Sequence, residues 1–186
     1  NVVPPTSIPA IIGNLFGAIY NPNIIWDEYS YRVGLAEIET AAMCASLIGY
    51  APEEAAGICT FGGTGTTFYG VKLGLEKASP GTFRHGVREP IKLVASSSAH
   101  YAKLNVLGWL GLGTNNLVTI PTDSDNSMDL AMLEKSLREI LDRGEKIAAI
   151  IATLGTTDAF GIDNLQYIAG LRDRLTQEYQ LPYRPH

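Results

Sequence analysis

Cysteine, histidine and positive charge are all scarce in this sequence. Its two cysteines, Cys44 and Cys59, are too few for a disulfide framework. Each stands among apolar neighbours and reads as a buried, reduced thiol. Its three histidines, His85, His100 and His186, fall in no metal-ligand spacing, so no metal site is expected. Lys and Arg number 14 against 19 Asp and Glu, a formal charge of -5. No basic stripe is present to neutralise phosphates, which argues against nucleic acid as a partner. No apolar run reaches the roughly 18 residues of a membrane span, and no signal-peptide pattern is visible. The expectation is a soluble, cytoplasmic chain with no membrane partner.

What is present is a globular composition: 46% hydrophobic and 18% charged over 186 residues, enough for one domain with a real core. The opening "NVVPPTSIPAIIGNLFGAIYNPN" reads as an irregular arm with one short helix over 8–18. "YRVGLAEIETAAMCASLIGY" puts Leu35, Ile38, Ala42 and Ala45 on one helical face, with Gly49 as its stop and Ser30 or Asp27 as its cap. Strand and helix patterns then alternate. A strand at 57–61 leads to a helix over 66–78 with Phe68, Val71 and Leu75 inward. "IKLVAS" leads to a helix over 100–112. "NLVTI" leads to a helix with Leu130, Leu133, Leu137 and Ile140, ending at Gly144. "KIAAIIAT" leads to a helix with Leu165, Ile168, Leu171 and Leu175.

Four βα units in a row predict an α/β fold of three layers, a mostly parallel sheet with helices on both faces. In such sheets ligands bind off the carboxyl ends of the strands, where the loops at 62–65, 96–100 and 155–157 fall. The sequence starts Asn1-Val2-Val3 without Met and stops at "LPYRPH", where the alternation calls for another strand. It is therefore read as a segment of a longer protein.

"FGGTGTTFYG" stands at the first of these loops. Glycines let backbone N–H groups approach an anion, a helix N-terminus favours negative charge, and Thr64, Thr66 and Thr67 add hydroxyls. Either a phosphate sits there or the glycines serve a tight strand-to-helix turn. No Lys follows Gly65 as a Walker loop requires. The dinucleotide fingerprint has Phe68 at its third Gly and lacks the later acidic residue. In "SSSAHYAKLN", His100 is a functional or a capping residue, and Lys103 is placed on a solvated helix face. In "TLGTTDAFGID", Asp163 is expected to cap the last helix. Asp123, Asp125 and Asp129 are expected to serve turns and caps.

Taken together, "FGGTGTT", "SSSAHYAKLNVLGWLG" and "IIATLGTTDAFGIDN", in this order and spacing, resemble the pyridoxal-phosphate-dependent decarboxylases of the aromatic amino acid and glutamate decarboxylase group. "NPNIIWDEYS" and "PTDSDNSMDLAMLEKSL" match too, so the resemblance covers essentially the whole chain. It implies part of a fold-type-I, aspartate-aminotransferase-like large domain that works as a homodimer on an amino acid, with pyridoxal 5'-phosphate as cofactor. Residues 1–50 would be an N-terminal arm and helix, and 51–186 the first part of the cofactor-binding domain. Gly63 and Thr64 would bind the cofactor phosphate, His100 would stack on the pyridine ring near the substrate, and Thr157 would contact the ring substituents. Thr6 falls near a stretch that touches substrate. Phe61 and Gly65 depart from the Ser and acidic residue common at those positions.

The family's aspartate for the pyridine nitrogen and its cofactor-binding lysine have no match here. None of Lys72, Lys77, Lys92, Lys103, Lys135 or Lys146 stands in the right context. The remainder of the enzyme chain, or a second chain, is expected to supply both, and the 186 residues alone are expected not to turn over substrate. Two other readings stay open: another pyridoxal-phosphate lyase, sphingosine-phosphate-lyase-like or desulfurase-like, and a binding or regulatory module that kept the fold without catalysis.

Overall fold

A computed structural model describes residues 3–30 and 32–186. They form two units, divided between Thr60 and Phe61.

The first unit is helical. Helix α1, Ile8–Tyr20, starts with Pro in its first turn and ends at Asn21, whose left-handed backbone (φ 41°) donates its N–H to the Gly17 carbonyl. None of the residues of α1 is buried, although Ile11, Ile12, Leu15, Phe16 and Ile19 are all apolar. A short α2, Asp27–Ser30, and then α3, Val33–Leu47, follow. Helix α3 opens after Arg32, which holds the cap position expected of Ser30 or Asp27 and supplies no side-chain cap; the Asp27 side chain lies outside the described residues. Gly49, at φ +83°, follows the helix as its stop. The expected inward face is only partly realised. Ala45 is buried, but Leu35 and Ile38 are exposed. Cys44 and Cys59, expected to be buried, are exposed free thiols. Met43 and Ile58 beside them are exposed too, because this unit buries few side chains of its own.

The second unit is α/β. Its strands are β1, Ile91–Ser96, β2, Leu117–Ile120, and β3, Lys146–Ile151, in the order β2-β1-β3. Both pairings are parallel, with Leu93 opposite Leu117 and Ala149. Its helices are α4, Gly62–Ala78, the short α5, Thr82–His85, α6, Ala102–Trp109, α7, Leu130–Asp142, and α8, Leu165–Glu178. Side chains alternate along each strand, and two cores result. Val94 and Ile147 join Leu133, Leu137, Ile140, Ile168, Leu171 and Leu175 on the α7–α8 face. Leu93 and Ala148 join Val71, Leu75, Val106 and Leu107 on the α4–α6 face. The expected three layers are there. His186 exchanges two backbone hydrogen bonds with β3, each of 3.0 Å, through Ala148 O and Ile150 N.

One expected strand is absent. Residues 57–61 are not extended into the sheet; Cys59 N donates to the Glu37 carboxylate at 3.3 Å instead. Helix α4 begins at Gly62, four residues before the expected start. Gly62 turns the chain at φ +81°, and Gly65, Val71, Gly74 and Leu75 then bury one side of the helix. Burial on the sheet outweighs the low helix propensity of the glycines. At Gly74 the fit is close enough that a Cβ would run into the Ala148 carbonyl, whereas at Gly170, in α8, it would meet open space.

The same chemical change should therefore have opposite effects at these two positions. Gly74→Ala should destabilise by about 1–3 kcal/mol through overpacking. Gly170→Ala should stabilise by roughly 0.5–1 kcal/mol through helix propensity. Urea unfolding midpoints check both; a neutral Gly74→Ala would contradict the close α4–β3 contact.

Candidate functional site

Parallel strands deliver their carboxyl ends to one edge of the sheet. There the first turn of α4 meets the segment after β1 and the segment after β3. Gly63, Thr64, His100 and Thr157 line one cleft of about 500 Å³, together with Tyr101 and Thr156. These are four of the five residues expected from the sequence. The fifth, Thr6, lies in the first unit, exposed, ahead of α1. An adjoining cleft of about 510 Å³ shares His100, Tyr101 and Thr157 and adds Ser97, Ser98, Lys103 and Asp158.

The glycine-rich stretch is the first turn of α4 rather than a loop before it. Phe61, at the N-cap, supplies no side-chain cap, and first-turn N–H groups have no partner within their own helix. Thr66 and Thr67 turn their hydroxyls back onto the Gly62 and Gly63 carbonyls, at 3.4 and 3.0 Å. A Cβ on Gly63 would meet nothing within 4 Å. The lining of this cleft contains no carboxylate, and helix N-termini favour anions. The arrangement can therefore hold a small anion.

His100 follows β1 by four residues. Its Nδ1 accepts the Ala102 N–H at 3.1 Å, so in the neutral ring the proton sits on Nε2. The Tyr101 ring lies 4.0 Å away, centroid to centroid, tilted by 33°. The imidazole thus lies beside an aromatic ring and is exposed at the cleft. His100 holds the first N–H of α6 and also lines the cleft.

The segment after β3 is braced from within. Thr156 is buried; its hydroxyl accepts Gly161 N at 3.1 Å, and Gly155 turns at φ +95°. Thr157, next along, is exposed to the cleft. Asp163 is not the cap of α8. That role belongs to Asn164, which accepts Tyr167 N at 3.0 Å. Asp163 is 3% exposed and accepts Met128 N and Thr153 N, both at 2.7 Å. One carboxylate thus ties the segments before α7 and after β3 to each other. Asp129 caps α7 through Met132 N at 2.9 Å, and Asp125 accepts Ser127 N at 3.0 Å, as expected of turn chemistry. Among the described residues no acidic, His or Cys cluster could hold a metal.

Lys103 is the other correction. It is 8% exposed, not solvated, and Nζ donates to the Ser96 and Ser97 carbonyls at 2.7 and 2.9 Å. Burial pushes its pKa below the usual lysine range. The buried residues of α6 are Ala102, Lys103, Val106 and Leu107. That spacing, read strictly, already puts Lys103 on the inward face.

The second unit is thus an α/β domain with a cleft at the carboxyl edge of its parallel sheet. No family model matches the chain. Among curated proteins it is 28% identical over 164 residues to the L-2,4-diaminobutyrate decarboxylase of Acinetobacter baumannii, covering 80% of this chain and 32% of that protein. Other curated relatives are a tyrosine, an acidic amino acid and a cysteine sulfinic acid decarboxylase. Among solved structures, mouse CSAD in its apo form superposes with a TM-score of 0.85 at 24% identity, over 91% of this chain and 36% of that one. Oryza sativa TDC, solved with PLP and tryptamine, gives a TM-score of 0.80 at 19% identity, over 91% and 36%. The chain is similar in sequence to amino-acid decarboxylases and shares its fold with part of their solved structures, as its motifs suggested. It spans about a third of the length of the curated relatives it matches.

The brace at Asp163 is directly testable. Asp163→Ala leaves two buried N–H groups without their acceptor and should cost about 2–3 kcal/mol. Amide exchange should accelerate first at Met128 and Thr153. Unchanged exchange at these two amides would contradict the brace.

Proposed function

We propose that this chain is the cofactor-anchoring part of a pyridoxal-phosphate-dependent decarboxylase that removes the α-carboxylate of an L-amino acid. The observation that carries the reading is the single cleft containing Gly63, Thr64, His100 and Thr157, in a chain whose curated relatives are amino-acid decarboxylases. The residues fit the cofactor. A glycine-rich first helical turn with space above Gly63 suits a phosphate, and an imidazole exposed at the same cleft suits a flat pyridine ring.

When bound, pyridoxal phosphate supplies the electron sink for the pair left behind as carbon dioxide departs. The work of this chain is positional. Gly63 and Thr64 would hold the phosphate through their N–H groups and the Thr64 hydroxyl. His100 would stack on the ring near the substrate, with Nε2 carrying the proton of its neutral ring. Thr157 would contact the ring substituents. The lysine that binds the cofactor covalently and the aspartate for the pyridine nitrogen come from the remainder of the enzyme or from a second chain.

The enzyme is a cytoplasmic homodimer in this reading. Two exposed free thiols suit a reducing compartment. The exposed apolar side chains of α1 suit burial against a partner subunit, since a helix apolar all round is ordinarily covered. Among the described residues no helix is long and apolar enough to cross a membrane.

The test uses the full-length enzyme and release of carbon dioxide from a panel of L-amino acids. His100→Ala should lower kcat by about 100-fold or more while cofactor stays bound. Gly63→Asp, which sets a carboxylate against the phosphate, should weaken cofactor binding at least about tenfold, or about 1.4 kcal/mol. Wild-type turnover in the first variant, or wild-type cofactor affinity in the second, would reject these roles.

A further inference from the structure

A lysine that is nine-tenths buried, lines a cleft and has no carboxylate within ion-pair distance among the described residues needs an explanation. A buried ammonium is costly unless its donors are used, and a Leu or Met would fill the same place in the α6 face without that cost. The hydrogen bonds show what the ammonium does. β1 ends at Ser96, and the chain must then turn to enter α6. Ser97 N donates to the Ile120 carbonyl at 2.7 Å, anchoring the turn to β2. Ser98 N donates to the Ser96 hydroxyl at 3.1 Å. Ala99 N donates to the Ser96 carbonyl at 3.1 Å, and Lys103 N to the His100 carbonyl at 3.2 Å. The Lys103 side chain then reaches back to the Ser96 and Ser97 carbonyls at 2.7 and 2.9 Å. Its backbone therefore holds the residue after the turn, and its side chain holds the residues before it. His100 stands in the span between.

We infer that Lys103 is a positioning residue for His100: its ammonium, gripping the Ser96 and Ser97 carbonyls, fixes the turn that carries the imidazole into the cleft. The inference rests on the decarboxylase reading, because only there does the placement of His100 have a catalytic consequence. Lys103 touches neither cofactor nor substrate in this account. Without its side chain, the Ala99 N–H remains on the Ser96 carbonyl, but the Ser97 carbonyl loses a donor. The turn then relaxes, and the imidazole loses its register with the ligand ring. Errors of about 1 Å in such placement can cost about 100-fold in rate.

The test is a double-mutant cycle in the full-length, cofactor-loaded enzyme. Lys103→Met keeps the apolar stem and removes the donors. It should lower kcat at least about tenfold with KM within about twofold, since the loss is one of positioning in the transition state. Lys103→Arg, which keeps charge and donors, should recover part of that loss. In a His100→Ala background Lys103→Met should have no further effect, because residues that act through one another are not additive. A readout independent of turnover comes from the cofactor-free enzyme. Amide exchange at Ala102, whose N–H is held by His100 Nδ1, should accelerate in Lys103→Met.

Wild-type kcat in Lys103→Met, or losses that simply multiply in the double variant, would overturn the inference while leaving the decarboxylase reading intact. A wild-type enzyme that neither binds pyridoxal phosphate nor releases carbon dioxide from any amino acid would overturn both. Should Lys103→Met not fold, Lys103→Gln retains a donor on a shorter stem. Its loss of kcat must likewise vanish in the His100→Ala background.

Discussion

Along both edges of β1 the backbone hydrogen bonds run to strands of its own direction. A parallel neighbour cannot be reached by a hairpin, so each connection has to cross a face of the sheet as a helix. Helices α4 and α6 cover one face and α7 and α8 the other. The strands are consequently buried on both sides, and their apolar runs are the residues that such burial requires. The same pairing brings every carboxyl end to one edge. Segments from different parts of the chain meet there, and His100 and Thr157, 57 positions apart in the numbering, come to share a cleft with Gly63 and Thr64.

Chain that leaves a buried strand carries N–H and C=O groups that must be satisfied without a ladder. Here two buried charged side chains do much of that work. Asp163 receives two N–H groups from different segments, and Lys103 serves two carbonyls of one turn. Each is matched to backbone dipoles of the opposite sense rather than to an ion-pair partner. Their charge is thereby used inside the scaffold. The lining of the first cleft is left to glycine, alanine, threonine, tyrosine and histidine, with no fixed negative charge to oppose an anion.

Periodicity made the second unit readable. Leu130, Leu133, Leu137 and Ile140 mark one helical face, and Ile168, Leu171 and Leu175 another, and most of those side chains form the core. The glycine-rich stretch could be placed at the carboxyl edge of the sheet from the sequence, but not its local structure. Its residues have poor helix propensity, yet it forms the first turn of a helix whose Gly65 is buried and whose Gly74 packs against β3. The polar residues misled for a related reason. Asp163 beside Asn164, and Lys103 beside Leu104, differ by one position in the pattern, and one position decides between a cap or solvent and the interior. Helices α1 and α3 show the opposite failure. Their apolar positions are plain in the sequence, yet most remain exposed, because apolar periodicity indicates that a face is to be covered and does not say by what.

A crystal structure of the full-length enzyme with pyridoxal phosphate would test the central claim most directly, that the three segments at the sheet edge form one cofactor site. The phosphate should lie within hydrogen-bonding distance of the Gly63 and Thr64 N–H groups, with the pyridine ring against the imidazole of His100. A cofactor bound with its phosphate away from the first turn of α4, or with His100 out of contact with the ring, would contradict the account.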